Sequence, residues 1–157
     1  MFKKDILSEI DLDFVDDLLH DSIVEPKDIK YDKYAKSLDL FFYRIMLGDE
    51  SRIKKKRFLF IFTILELPVV KSLFHLDNIN FLDIYTAETD AKEFYLEGII
   101  KKGNYFEMLF NPTLEIRFSF KDEIKGYLED IKILSPSEAK NFRFWVLKCF
   151  NFPIWGR

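Results

Sequence analysis

The chain has 157 residues, 48% of them hydrophobic and 18 of them phenylalanine, which is ample material for the core of one domain. Its net charge of −3 argues against a protein that coats nucleic acid through its overall field. Its one cysteine, Cys149, excludes an internal disulfide, and acids follow the first lysines where a secretory signal needs an apolar segment. We therefore expect a single domain over residues 1–157, located in the cytoplasm.

The first element along the chain is a helix from Ser8 to about His20. Ser8 is a residue type favoured at a helix N-cap, and acids follow it in the first turn, where they complement the positive helix end. Beyond the helix, Pro26 divides an irregular first strand into the pieces 22–25 and 28–31. Apolar residues at spacings of three and four predict a buried helix stripe that contains Ile10, Phe14, Val15, Leu18 and Leu19.

The middle of the chain is predicted to consist of strands. Residues 37–47 carry apolar side chains on both faces, which is typical of a central strand. A basic loop at 52–57 leads into the longest apolar run, 58–65, which is far too short to span a bilayer. Two further segments follow, a strand at 69–76 and either a strand or a short helix at 81–85.

The later part of the chain reads as a three-stranded antiparallel meander. A strand at 93–100 precedes the stretch 104–120, which alternates strictly on either side of Asn111 and Pro112. Residues 122–131 fit either a helical turn or a further strand. One face of the hairpin is predicted to be buried, through Phe106, Met108, Phe110, Leu114, Ile116, Phe118 and Phe120.

Ser135, Pro136 and Glu138 have the order typical of a helix start, so we expect a C-terminal helix over 136–150. Together these elements predict an α+β fold: a mainly antiparallel β-sheet, curled into a sandwich or half-barrel, with an N-terminal and a C-terminal helix. Six or seven strands are expected. The layout resembles the pleckstrin-homology-like superfold, although a shared superfold does not determine function.

The aromatic C-terminal tail is the first candidate contact surface. Lysines and arginines interleave its aromatic residues, and no acid occurs from Lys140 to Arg157. One face of a short helix cannot hide so many rings, and an exposed remainder is typical of a protein partner, a membrane surface or self-association. The alternative is that the rings close one end of the sheet as ordinary core. The candidate interface residues are Phe144, Trp145, Phe150, Phe152 and Trp155.

The basic loop is the second candidate surface. Its positive charges predict contact with phosphate, on nucleic acid or on lipid headgroups, and such contacts weaken steeply with salt. A charged loop that keeps a sheet edge soluble is the alternative interpretation. The candidate anion contacts are Arg52, Lys54, Lys55, Lys56 and Arg57.

An acidic cluster on the first helix is the third candidate. Its spacings of three and four place carboxylates and an imidazole on one helix face, where a metal or an acid/base site is conceivable. A solvated helix face is the favoured interpretation, because a catalytic metal site normally draws partners from several elements. The residues are Asp13, Asp16, Asp17, His20 and Asp21.

Other chemical signals are sparse. His75 stands among apolar neighbours without a partner that the sequence shows, which favours a structural role, and Cys149 is expected to be a buried, inert thiol. The chain has no nucleophile elbow, no phosphate-binding glycine loop, no dinucleotide fingerprint and no paired Cys or His at metal-ligand spacing. We predict no catalytic residue, no metal and no cofactor, and an enzyme is disfavoured.

Residues 13–42 contain the acidic helix end Asp-Phe-Val-Asp-Asp-Leu-Leu-His-Asp-Ser, then Asp-Ile-Lys-Tyr, then Ser-Leu-Asp-Leu-Phe-Phe. This order resembles the opening of a small bacterial family known only as a domain of unknown function, and the hairpin 104–120 resembles its later part. The resemblance covers residues 9–131 and implies an architecture without catalytic residues. The chain departs from the family in its turn Asn111-Pro112-Thr113, which replaces a glycine-rich one, and in its aromatic tail.

These observations predict a non-catalytic binding or protein-interaction module of the cytoplasm. Its partner is expected to be another protein or a second copy of the chain, held by the aromatic tail. Two alternatives stay open. One is an enzyme with a metal or acid/base site on the first helix, and the other is nucleic-acid or lipid-headgroup binding through residues 52–57, of which nucleic acid is the less expected partner.

Overall fold

The computed structural model describes residues 1–46, 54–58, 62–87, 90–135, 137–141, 145–149 and 152–156. Helix α1, Glu9–Leu19, lies between strands β1, Lys3–Ile6, and β2, Ile23–Asp32. Nine further strands follow within the described residues: β3 Ser37–Ile45, β4 Lys54–Phe58, β5 Phe62–Glu66, β6 Val69–Thr86, β7 Phe94–Lys102, β8 Tyr105–Asn111, β9 Leu114–Ile133, β10 Trp145–Cys149 and β11 Phe152–Gly156.

Seven strands form a large antiparallel sheet in the order β1-β9-β6-β3-β2-β7-β8. Strand β8 also pairs with β9, so the pairings among β9, β6, β3, β2, β7 and β8 form a closed ring. A mainly antiparallel sheet with an N-terminal helix is therefore confirmed. Pairing of β3 with both β2 and β6 confirms that residues 37–45 are a central strand.

The hairpin predicted over residues 104–120 is present as β8 and the first part of β9. Phe106 faces Phe118, Met108 faces Ile116 and Phe110 faces Leu114 across the two strands. These six side chains are buried, as the strict alternation predicts. Burial of one large apolar side chain contributes about 1.5–3 kcal/mol, so the hairpin supplies a substantial part of the core.

The ring of strands and α1 enclose a core of apolar side chains. Phe42 lies at its centre, with its ring 6.4 Å from that of Phe74 and 6.3 Å from that of Phe110. The remaining core residues come from every strand of the large sheet and from α1, and include Ile6, Val24, Leu38, Leu40, Leu76, Ile79, Leu96, Met108, Ile116, Phe118 and Leu128.

Helix α1 starts where the sequence predicts. The hydroxyl oxygen of Ser8 accepts a hydrogen bond from the backbone N–H of Asp11 at 3.2 Å, and the carboxylate of Asp11 accepts one from the N–H of Leu7 at 3.1 Å. These two reciprocal bonds satisfy backbone donors that a helix start leaves unpaired.

The predicted apolar stripe of α1 is partly wrong. Leu12, Val15 and Leu19 are the buried residues of the helix, whereas Ile10 is 79% exposed and Phe14 is 45% exposed. Two apolar stripes at helical spacing run along this helix, and only tertiary packing selects the one that faces the sheet.

Strands β6 and β9 are longer than the sequence indicates. Residues 81–85 continue β6, and residues 122–131 continue β9, so each ambiguous segment is strand rather than helix. The two strands pair along most of their length. The register shifts between Asp77 and Ile79, where β9 has extra residues, and again between Ile79 and Phe81, where β6 has one. A bulge of this kind bends a strand pair without ending it.

Four strands form a second antiparallel sheet, in the order β11-β10-β5-β4. The C-terminal helix predicted over 136–150 is not confirmed, because the described residues there are a short 3-10 helix, Glu138–Asn141, and strand β10. Strand β10 pairs with β5 over five residues, and this non-local pairing overrides the helical spacing. The predicted basic loop is also wrong in part, since residues 54–58 are strand β4.

Candidate interaction surfaces

The second sheet, called here the small sheet, contains both surfaces that the sequence singles out. Lys54, Lys55, Lys56 and Arg57 lie on its edge strand β4. The tail supplies the inner strand β10, with Trp145, and the opposite edge strand β11, with Phe152 and Trp155. Arg52, Phe144 and Phe150 lie outside the described residues. The fold thus brings together two segments that lie about 90 positions apart in the sequence, and no local sequence pattern predicts that they share a sheet.

The register of the small sheet places the two segments in common rows. Lys55 pairs with Leu65, Leu65 with Val146, and Val146 with Trp155. In the same way Arg57, Thr63, Lys148 and Pro153 form one row. Alternate rows share a face, so the positions of two basic residues of β4 and of Lys148 lie on the same face as that of Trp155.

The acidic helix face is not the convergent site that its spacing allows. The Asp16 carboxylate accepts a hydrogen bond from the backbone N–H of Ile99 at 2.8 Å, which joins α1 to β7. Burial raises the pKa of Asp16, and the bond from Ile99 opposes that effect. Asp13, Asp17 and His20 are exposed. Within the described residues, no group of three or more His, Cys, Asp or Glu side chains is arranged to hold a metal ion.

His75 has partners that its sequence neighbours do not reveal. Its Nδ1 atom lies 2.5 Å from Asp39 Oδ1, and its Nε2 atom lies 3.1 Å from Asp77 Oδ1. The imidazole also stacks on Tyr127 with ring centroids 4.8 Å apart, and burial raises the pKa of this phenol. Asp77 follows His75 by two positions on the same strand face and could have been inferred, whereas Asp39 depends on the pairing of β3 with β6.

The two carboxylates occupy both nitrogens of His75, from opposite sides of the ring. An imidazole used as a general base needs one nitrogen free to reach a substrate proton. Neither nitrogen has that freedom here. The arrangement is better explained as a polar contact that joins β3 to β6 on the outside of the large sheet than as a catalytic centre.

A second polar cluster is buried at one end of the core. Arg44 donates from Nη2 to Asp130 at 2.7 Å and from Nε to Ser72 at 3.1 Å, and the Ser72 hydroxyl donates to Asp130 at 2.8 Å. The backbone N–H of Phe2 donates to the second carboxylate oxygen at 3.3 Å. This cluster joins β3, β6, β9 and the N-terminal segment, so its role is structural.

A third cluster links Asp28, Tyr43 and Lys71 on the outer face. The Lys71 ammonium donates to Asp28 and to the Tyr43 hydroxyl oxygen at 3.1 Å each, and Tyr43 donates to Asp28 at 3.1 Å. Burial raises the pKa of Tyr43. Burial acts against the charged form of Lys71, yet its hydrogen bonds to Tyr43 and Asp28 raise its pKa overall. With every group paired, this cluster holds no open reactive atom.

The distal half of β6, residues 79–86, is an exposed surface that the sequence pattern did not indicate. It exposes three large apolar side chains, with Phe81 at 47%, Ile84 at 43% and Tyr85 at 53% exposure. Apolar and aromatic residues on both sides of Asp83 over 81–85 were the available signal, but the segment alone does not show which of its edges is paired.

Comparisons of the chain with protein-family models, with curated proteins and with solved structures found no match. The resemblance to a bacterial family of unknown function therefore stays a prediction. Among the described residues, no helix is long and apolar enough to cross a membrane.

Proposed function

We propose that the chain is a non-catalytic, cytoplasmic binding module for a protein partner or a second copy of itself, and that the small sheet is its contact surface. The observation that carries this proposal is the register of the small sheet, which brings the basic run of β4 and the aromatic tail into one surface. Tryptophan and arginine are the residue types that contribute most to binding energy at protein interfaces. Arg57 and Trp155 lie in rows that are two residues apart, and such rows share one face of a sheet.

The half-barrel description of the fold belongs to the same proposal. Closure of β8 onto β9 supports the curled form of the sheet, because strands can meet in a ring only where a sheet bends back on itself. The pleckstrin-homology-like analogy has weaker support, because its closing helix is the element that the described residues do not contain. Neither description adds a function by itself.

The proposal is tested by the solution mass of the chain, measured by light scattering with and without residues 151–157. This truncation removes the edge strand β11, and we expect a folded chain whose oligomeric state or partner capture changes. Circular dichroism verifies the fold. A truncated chain that unfolds would show that the tail is core and would count against the proposal.

A matched pair of substitutions sharpens this test. Trp155→Ser lies in the proposed surface, whereas Tyr34→Ser changes an aromatic residue that is 88% exposed at the turn between β2 and β3. We expect only the first to alter association. Equal behaviour of the two variants would contradict a specific surface.

A second candidate function is contact with phosphate on lipid headgroups or nucleic acid through Arg52, Lys54, Lys55, Lys56 and Arg57. The position of Lys148 in the row of Arg57 favours it, because this adds a third positive charge to the face of Lys55 and Arg57. The test is binding to anionic vesicles and to a DNA duplex at low salt. A double change of Lys55 and Arg57 to Ala should weaken binding strongly at low salt, whereas Lys121→Ala with Lys125→Ala should not.

The salt dependence decides whether such binding is electrostatic. Loss of two phosphate contacts should reduce the slope of log K against log salt by about 2. Binding that is insensitive to salt, or absent at low salt, would end this candidate.

A further inference from the structure

Two open edges of the large sheet, at β1 and β2, are protected by their own residues. Strand β1 has four residues and carries Lys3 and Lys4, and the free part of β2 contains Pro26 and Lys27. Short length, lysine and proline are devices that prevent further strand pairing at an edge. Both edges therefore discourage an added strand.

The edge of β7 is covered by α1 and the residues after it. Asp21 donates its backbone N–H to the carbonyl of Leu96 at 2.9 Å, the N–H of Leu96 donates to Ser22 at 3.0 Å, and Asp16 accepts from Ile99. The N–H and C=O of Leu96 and the N–H of Ile99 therefore already have partners within the chain.

Within the part of the chain that the structure describes, the distal half of β6 has neither kind of protection. Strand β3 pairs with β6 only from Val69 to Leu76, and from Phe81 onward the described residues pair with β6 only through β9. The side chains there are Phe81, Leu82, Asp83, Ile84 and Tyr85, of which three are large, apolar and more than two-fifths exposed. A long apolar edge of this kind is the feature that sheets normally hide.

The backbone groups that face this edge follow from the pairing with β9. The N–H of Ala87 donates to the carbonyl of Thr113, so Thr86 and Leu114 are a non-hydrogen-bonded pair. Alternation then directs the backbone groups of Tyr85 and Asp83 to β9. The N–H and C=O of Leu82 and Ile84 point to the open edge, where an added strand would find them.

The charges near this edge indicate which kind of added strand would bind there. Arg117 is committed to Glu107 at 2.8 Å and to Glu115 at 2.5 Å, and it lies 3.8 Å from Asp83. The Asp83 side chain is 51% exposed. An added strand therefore meets a carboxylate between Phe81 and Tyr85, and a basic side chain directly opposite Asp83 would stabilise the pair.

The same charge argues against pairing of two copies through this edge. The outward backbone groups of Leu82 and Ile84 must face each other in a symmetric antiparallel pair, and the register with the greatest overlap centres on Asp83. Two Asp83 carboxylates would then lie directly opposite each other, which is destabilising. A different chain with a cation at this position avoids that contact.

We propose that the distal edge of β6 is a docking site for an extended segment of a partner protein, which adds to the large sheet as a further strand and places a lysine or arginine, flanked by apolar residues, opposite Asp83. Main-chain hydrogen bonds to Leu82 and Ile84 supply affinity, and side-chain contacts with Phe81, Asp83 and Tyr85 supply selectivity. This site is separate from the small sheet, so either proposal can fail without the other.

The test uses the full chain and a fluorescein-labelled peptide, acetyl-Thr-Val-Ile-Lys-Val-Val-Thr-amide, in an anisotropy titration. A matched peptide carries Glu in place of the central Lys. We expect saturable binding of the lysine peptide, and binding about fivefold weaker for the glutamate peptide. Asp83→Lys should reverse that preference, whereas Asp122→Lys, which changes an exposed acid on β9, should leave it unchanged.

Ile84→Pro tests the backbone contribution. It removes an N–H that faces the open edge and leaves the ladder with β9 intact, so the chain should fold and bind the lysine peptide about tenfold more weakly. If this variant fails to fold, the Asp83→Lys preference still decides. Absence of binding, or equal binding of both peptides to both Asp83 forms, would overturn the proposal. Dimerisation that Ile84→Pro abolishes and Trp155→Ser does not would overturn it in favour of a second copy.

Discussion

The two halves of β6 share one strand partner, β9, and differ in almost everything else. The proximal half, Val69–Leu76, is paired on both edges and contributes Val70, Ser72, Phe74 and Leu76 to the interior. The distal half, residues 79–86, is paired on one edge within the described residues and exposes Phe81, Ile84 and Tyr85. Pairing on the second edge, more than residue type, therefore determines whether a part of this strand contributes to the core or stays exposed at the surface.

The forces that hold the two halves also differ. The proximal half is held by apolar packing and by the buried Arg44, Ser72 and Asp130 cluster. On the distal side, Arg117 of β9 links Glu107 of β8, Glu115 of β9 and Asp83 of β6 across the outer face. Mutations should therefore affect stability mainly in the first half and binding mainly in the second.

Truncation of a phenylalanine should show the largest difference. Phe74→Ala leaves a cavity beside Phe42 and should lower the free energy of unfolding by about 3–5 kcal/mol. Phe81→Ala removes a side chain that is 47% exposed and should change it by less than about 1 kcal/mol. Urea denaturation measures both. Equal losses would mean that the distal half is part of the core.

Loss of the buried carboxylate should be nearly as severe. Asp130→Ala leaves the Arg44 guanidinium buried without its anion, which should cost about 3 kcal/mol. The double variant with Arg44→Met should recover part of that loss, because no unpaired charge remains in the core. A double-mutant cycle in urea measures the coupling, and additive effects would show that the two groups act independently.

A glycine marks the junction between the halves. A Cβ atom at Gly126 would lie 2.2 Å from the carbonyl oxygen of His75, so Gly126→Ala must push β9 away from β6. We expect a loss of about 2 kcal/mol. Gly98→Ala is the control, since its Cβ would meet the Asp16 carboxylate at an ordinary 3.7 Å. Thermal unfolding of the two variants should differ clearly, and similar Tm values would contradict the close approach.

Acid should weaken the charge network of the distal side by the smallest amount. Hydrogen bonds from Lys102 and then Arg117 lower the pKa of Glu107 below its ordinary 4.5. A carboxyl group with a lowered folded pKa stabilises the fold above its unfolded pKa, and this contribution disappears as the pH falls through the folded value. The Glu107 carboxylate is buried, but both of its cations are partly exposed and are screened by solvent, so the loss should be about 1 kcal/mol.

The measurement for this prediction is the free energy of unfolding as a function of pH, from neutral to strongly acidic solution. Glu107→Gln should flatten the part of the curve below pH 4.5. A curve with the same slope in wild type and variant would show that the Glu107 contacts contribute nothing to stability.

Local patterns predicted the elements whose partners are near in sequence. The start of α1 at Ser8 and the buried face of the hairpin 104–120 are both confirmed, because capping bonds and alternation act over a few residues. The candidate surfaces were predicted as residue types only. Lys55 and Trp155 were recognised separately, and their common row in the small sheet could not be read from either segment.

The sequence by itself determined an antiparallel sheet, a capped N-terminal helix and a supply of aromatic and basic residues with no motif for catalysis. Tertiary structure alone decided that residues 145–149 pair with β5 rather than form a helix, that Leu12 rather than Ile10 is buried, and that Asp39 reaches His75. The physical reason is the range of the interactions. Periodicity reports which residues share a face, but the free energy that selects a face, an edge or a partner comes from contacts with segments far away in the chain.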